Sequence, residues 1–128
     1  MAYFSNVMIA VTKKDFETIK KEQMKIADNF LLEELYVEEY KENDIECVFA
    51  HFGYIRYEKK FEEVQLLEEC LNKLKAGYVF CRLGEETIDI EFRNRTKMPE
   101  LMKNFDFIKD ISKMLNEELK EEEEEEFE

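Results

Sequence analysis

The sequence predicts an α+β domain: a two-layer, ferredoxin-like sheet (βαββαβ) extended by a further strand and a C-terminal helix. Three observations lead there. Apolar residues alternate with a period of two in four segments, as half-buried strands require, and a fifth is a short apolar run. They recur every three or four residues in three others, as amphipathic helices require. The segments run strand, helix, strand, strand, helix, strand, strand, helix, and right-handed crossovers leave few other layouts for that order.

Each element has its own justification. In Tyr3 to Val11, Val7, Ile9 and Val11 alternate with Asn6, Met8 and Ala10, and apolar residues on both faces argue a central strand. Thr12 is a helix N-cap, with its hydroxyl open to the amide near Asp15, whose charge suits a helix start. Phe16, Ile19, Met24 and Ile26 form a helical stripe to about Asp28. Leu35 and Val37 alternate with Tyr36 and Glu38 in a strand over 32–40, although Leu-Leu-Glu-Glu-Leu also suits a continued helix. A polar turn at 41–44 leads into Ile45 to Tyr57, so the pair reads as a hairpin with a loop of about four residues.

Phe61, Val64, Leu67, Leu71 and Leu74 share one helix face, and Gly77 stands where a left-handed C-cap is wanted. Tyr78 to Leu83 is a short apolar run, and Gly84-Glu85-Glu86 makes the next turn. Ile88, Ile90 and Phe92 then alternate with Thr87, Asp89, Glu91 and Arg93, a strand with one dry and one charged face. Pro99, the only proline, opens a last helix carrying Leu101, Phe105, Ile108, Ser112, Leu115 and Leu119. Residues 1–116 therefore form one domain. Residues 117–128 form an acidic tail, either the end of the last helix or disordered.

Charge narrows the function classes. The 128 residues hold 32 acids and 19 bases, a net charge of -13. The tail contributes nine Glu and one Lys, so the remaining 116 residues are only mildly acidic. A direct DNA or RNA binder needs a basic face to neutralise phosphates, and this balance opposes one. No apolar run approaches the ~20 residues of a membrane-spanning helix, and the start has no secretory pattern. Three cysteines in apolar surroundings, Cys47, Cys70 and Cys81, fit reduced thiols in a cytoplasmic protein.

Catalytic sets are scarce. The single histidine, His51, sits mid-strand and reads as structural. No Cys-x-x-Cys pair exists, and glycines at 53, 77 and 84 do not make a phosphate loop. Glu85, Glu86, Asp89 and Glu91 form an acidic cluster, in which Asp89 and Glu91 project from one strand face about 6 to 7 Å apart. Such oxygens suit Mg²⁺ or Mn²⁺ in a phosphoesterase, but a solvated hairpin face paired with Arg82 and Arg93 explains them as well. No metal or cofactor is assigned. Phe49, Phe52, Tyr54, Arg56 and Tyr57 lie within nine residues, and Tyr and Arg are the types enriched at binding hot spots. Core filling accounts for most of these rings.

The stretch Phe80-Cys81-Arg82-Leu83-Gly84-Glu85-Glu86, then Asp89-Ile90-Glu91, follows an acidic amphipathic helix and the pair Tyr57-Glu58. Over residues 46 to 93 this resembles a group of small phage-encoded proteins sharing a Phe-x-Arg-Leu/Ile-Gly-Glu…Asp-Ile-Glu stretch. Where that group carries Lys-Trp-Tyr-Glu, this chain has Ile55-Arg56-Tyr57-Glu58, without the Trp. The resemblance implies a phage or prophage setting and no particular chemistry.

The expectation is a small, acidic, non-enzymatic phage-type protein that binds and inhibits a host protein through a basic surface, as an anti-CRISPR or other nucleic-acid mimic does. Its interaction residues would be Glu85, Glu86, Asp89, Glu91, Tyr54, Arg56 and Tyr57. Two alternatives stand beside it: a nucleotide or small-molecule binder clamping phosphate with Arg56, Arg82, Arg93 or Arg95, and the Mg/Mn phosphoesterase. A homodimer through an open sheet edge is compatible with each.

Overall fold

A computed structural model describes residues 2–86 and 88–105. The helix expected beyond residue 105 and the acidic tail lie outside them. The chain forms a mixed α+β fold around a five-stranded antiparallel sheet in the order β2-β3-β1-β4-β5. Its strands are β1 (Ser5–Thr12), β2 (Tyr36–Glu42), β3 (Ile45–Ile55), β4 (Val79–Gly84) and β5 (Ile90–Asn94). The helices are α1 (Lys13–Gln23), α2 (Phe30–Glu33) and α3 (Glu62–Asn72), and Pro99–Phe105 is a 3-10 segment.

The centre of the sheet follows from the apolar content of β1, which pairs with β3 on one side and β4 on the other. Val7, Ile9 and Val11 point to one face, where Phe16 and Ile19 of α1 and Leu67 and Leu71 of α3 cover them. Met8 and Ala10 point to the other, against Leu101 and Phe105 of the 3-10 segment. The expected two layers are thus three, because a strand apolar on both faces must bury both.

Local chemistry sets the boundaries. Thr12 caps α1 as expected, its Oγ1 accepting from the Asp15 amide at 3.3 Å. The helix stops at Gln23, short of Asp28, which takes a positive φ of 53°. The ambiguous Leu-Leu-Glu-Glu stretch divides. Asn29 caps the single turn α2, its Oδ1 accepting from the Leu31 amide, and the strand begins only at Tyr36. The hairpin loop has two residues, not four: Asn43 (φ 51°) and Asp44 (φ 63°) both sit in the left-handed region, which matches the twist of the flanking strands. Lys41 and Glu42 consequently continue β2.

Two further corrections concern the second hairpin and β3. Ile88 lies outside β5 and is 69% exposed, so the strand is shorter than its alternation suggested. In β3 the register slips opposite Val7/Met8, with Val7 facing Gly53 and Met8 facing His51. Gly53 takes a φ of 95° at this bulge, conformational freedom that a side chain would deny it. Phe52 and Ile55, three apart, therefore both enter the same core, and Tyr54 is left at the surface.

Candidate functional site

The expected acidic cluster is held by arginines from within. Arg82 of β4 stands directly across from Glu91 of β5. Its two terminal nitrogens donate to Asp89 Oδ1 at 2.7 Å and Oδ2 at 3.0 Å, and its Nε reaches Glu91 at 3.3 Å. Arg93 takes the other Glu91 oxygen at 3.2 Å and clasps both oxygens of Glu68 on α3, at 2.7 and 2.8 Å. Its guanidinium lies 3.9 Å from the Phe80 ring centroid. The result is a continuous chain of opposite charges, Asp89–Arg82–Glu91–Arg93–Glu68, tying the outer hairpin to α3.

The N-terminal segment closes this chain. Tyr3 donates its hydroxyl hydrogen to Asp89 Oδ2, and the Phe4 amide donates to Glu85 at 2.9 Å. Glu86 engages through its backbone, whose amide donates to the Tyr3 oxygen at 3.3 Å. Gly84 permits the approach, since an added Cβ would strike the Asp89 carboxylate and the Tyr3 hydroxyl. The Arg82 guanidinium, helped by Tyr3, holds the Asp89 carboxyl down at about 2. Burial pushes the Glu68 carboxyl up, but Arg93 and Tyr57 outweigh it and leave it below its ordinary value.

This geometry bears on both alternatives, the metal site and the phosphate clamp. A metal at Asp89 and Glu91 has to displace two guanidinium groups from oxygens they already occupy. Arg82 and Arg93 are in turn committed to carboxylates, which compete with any phosphate they might clamp. Among the described residues no group of three or more His, Cys, Asp or Glu side chains is placed to hold a metal ion. Burial raises the thiols of Cys47 and Cys70, and that of Cys81 to about 11, which keeps them protonated and poorly nucleophilic. His51 faces Asn6 across β1 at 3.3 Å, and burial lowers its pKa.

The aromatic run divides among different places. Phe52 joins the helix-side core, while Phe49 packs against Phe105 on the opposite face, ring centroids 5.4 Å apart. Tyr57 turns inward, its ring 5.5 Å from that of Phe80 and its hydroxyl donating to Glu68 at 2.8 Å. Tyr54 and Arg56 alone reach a common cavity, a cleft of about 310 Å³ with Phe4, Phe30, Phe61, Glu33 and Glu34 in its walls. Phe4 stacks on Tyr54 at 5.4 Å, and Phe30 meets Phe61 edge to face at 5.2 Å. Arg56 lies 5.4 Å from the Phe61 centroid and pairs with Glu58 at 2.8 Å, which neutralises it.

Glu33 and Glu34, absent from the expected site, come from α2 and the residue after it, so only the tertiary fold brings them to Tyr54. Their position also joins the cleft to the sheet edge. Tyr36, at the start of β2, pairs with His51 beside the Gly53 bulge, and an added Cβ at Gly53 would lie 3.2 Å from Glu34 Oε2. From there β2 runs as an edge strand, paired only with β3 among the described residues. Between residues 33 and 46 the chain has seven acids and one lysine. Glu39 pairs with Lys13 at 3.6 Å and Glu42 with Lys103 at 3.0 Å. Among the described residues Glu33, Glu34, Glu38, Asp44 and Glu46 form no ion pair and are exposed. Among those residues, too, no helix is long and apolar enough to cross a membrane. No protein-family model matches the chain, and comparison with curated proteins and with solved structures finds no match either.

Proposed function

We propose that this chain is a small acidic inhibitor of the phage type, which binds a basic surface of a host protein in the cytoplasm and catalyses no reaction. The observation that carries the reading is the β2 edge: among the described residues, a strand paired on one side only, with five exposed carboxylates on and near it that form no ion pair. An edge of that kind offers main-chain partners to an added strand and long-range attraction to a cationic one. Of the cations beside this edge, Lys13 and Lys103 pair with Glu39 and Glu42, which leaves Lys41 against the remaining carboxylates. Like charges along β2 also oppose pairing with a second copy of the same strand, so a homodimer would use the β5 edge.

The scaffold of this reading is a ferredoxin-like unit with β5 added. Support comes from the antiparallel order β2-β3-β1-β4 and from α1 and α3 covering one face. Its phage setting rests on the likeness of residues 46 to 93 to small phage proteins.

Affinity capture from nuclease-treated bacterial lysate tests the proposal, with the wild-type chain beside Glu38→Lys/Glu39→Lys and a chain ending at Asn116. A stoichiometric basic protein is expected on the wild type and on the shortened chain, released as salt rises from about 50 to about 300 mM and the Debye length falls from about 14 to about 6 Å. Loss on charge reversal at 38 and 39 supports the edge. Capture of no protein, or equal capture by the reversed edge, overturns it.

A further inference from the structure

We propose that the cleft walled by Phe4, Tyr54, Phe30 and Phe61 is an anchor site for one arginine side chain of the basic partner. The inference rests on the reading above and states which chemical group that partner inserts.

Size comes first. At about 310 Å³ the cleft holds roughly ten water volumes, room for one extended side chain and not for an element of secondary structure. Its walls come next. Aromatic rings attract cations through their quadrupole, and Arg56 and Lys60 already lie 5.4 and 5.3 Å from the Phe61 centroid, while Tyr54 is 49% exposed.

Rim charge then decides the sign of the ligand. Among the described residues Glu33 and Glu34 stand exposed and form no ion pair, whereas the two cations at Phe61, Arg56 and Lys60, share Glu58, so three carboxylates face two cations there. An anionic group such as a nucleotide phosphate would meet Glu33 and Glu34. A guanidinium meets them favourably, and its plane stacks on a ring while its edge donates to a carboxylate. An ammonium lacks that plane and is more strongly hydrated, so arginine is favoured over lysine. Continuity gives the last argument: Glu33 and Glu34 of the cleft immediately precede β2, which begins at Tyr36, so a basic strand lying along that edge ends beside the cleft.

Titration of the full chain with Nα-acetyl-arginine amide, followed by aromatic NMR shifts, tests the site. Saturable shifts are expected at the rings of Phe4, Tyr54 and Phe61. Binding should weaken roughly fivefold in Glu33→Gln/Glu34→Gln, and again in Tyr54→Leu. Both variants alter exposed side chains and leave the core intact. The neutral isostere Nα-acetyl-citrulline amide is the control. Equal shifts from the citrulline amide, shifts confined to residues outside the cleft, or shifts of these rings by adenosine monophosphate and not by the arginine amide each overturn the proposal. Partner capture separates the two ideas. A partner lost on reversal at 38 and 39 but fully retained by both cleft variants overturns the anchor and leaves the edge standing. If no partner is captured, the edge reading fails and the amide titration still decides the cleft.

Discussion

At the scale of single residues, the arginines are placed where they serve the fold. Arg82 grips Asp89 with two parallel hydrogen bonds, the geometry in which guanidinium and carboxylate bind best. The consequence is pH-dependent. A carboxyl whose folded pKa is about 2 contributes stability that is fully present above its unfolded value near 4, and loses it as pH falls toward 2. Asp89→Asn should therefore cost roughly 1 kcal/mol at pH 7, measured as a lower urea midpoint. That gap should narrow between about pH 4 and pH 2.5. An unchanged gap across that range would show that Asp89 acts by packing and not by charge. The pairing of Arg82 and Arg93 with the acidic hairpin was readable from the sequence, because the residues alternate on adjacent strands. Tyr3 and Glu68 were not, since 86 and 25 positions separate them from their partners and no periodic signal links them.

At the scale of elements, one buried polar cluster joins three helices. Gln23, at the end of α1 and 1% exposed, donates to the Glu63 carbonyl at the start of α3 at 3.0 Å. Asn29, the cap of α2, donates to the Gln23 side chain at 2.6 Å and to its carbonyl at 2.9 Å. Gln23→Ala should cost about 2 to 3 kcal/mol, because it leaves the Asn29 amide and the Glu63 carbonyl without this partner in a dry site. Chemical denaturation checks the figure, and a cost below about 0.5 kcal/mol would mean that water replaces the amide. The strands were legible because alternation with β-branched residues is a strong signal over five or more positions. The single turn α2 and the two-residue loop at Asn43-Asp44 were not. Each is too short for periodicity, and each depends on one capping or left-handed residue.

At the scale of the whole molecule, both hydrophobic clusters draw on the same strand. Val7, Ile9 and Val11 belong to one, Met8 and Ala10 to the other, so neither layer can leave the sheet without exposing β1. Unfolding in urea should accordingly be a single transition, with tyrosine fluorescence and far-UV circular dichroism coincident. Two separated midpoints would mean that the 3-10 segment detaches first. The third layer escaped the sequence reading because Pro99–Phe105 looks like the start of a free amphipathic helix. Only the apolar reverse side of β1 hinted at what it covers. The cleft was half legible: Tyr54 and Arg56 stood out by composition, whereas Glu33, Glu34, Phe4 and Phe30 reach it through the fold alone.

The bulge at Gly53 has a consequence for how such a protein can change over generations. By resetting the phase of β3, it keeps Phe52 and Ile55 in the core while Tyr54 and Arg56, which line the cleft beside Ile55, stay accessible. Substitutions at 54 and 56 can thus be sampled almost independently of the interior, and a new specificity need not cross an unstable intermediate. A side chain at 53 that forced the bulge into regular pairing would have the opposite character. Strict alternation from Phe52 would then turn Tyr54 toward the helices and Ile55 away from them, whereas deleting the one extra residue would leave both on their present faces. The position therefore marks a boundary between a part of the chain free to diversify and a part held fixed by burial.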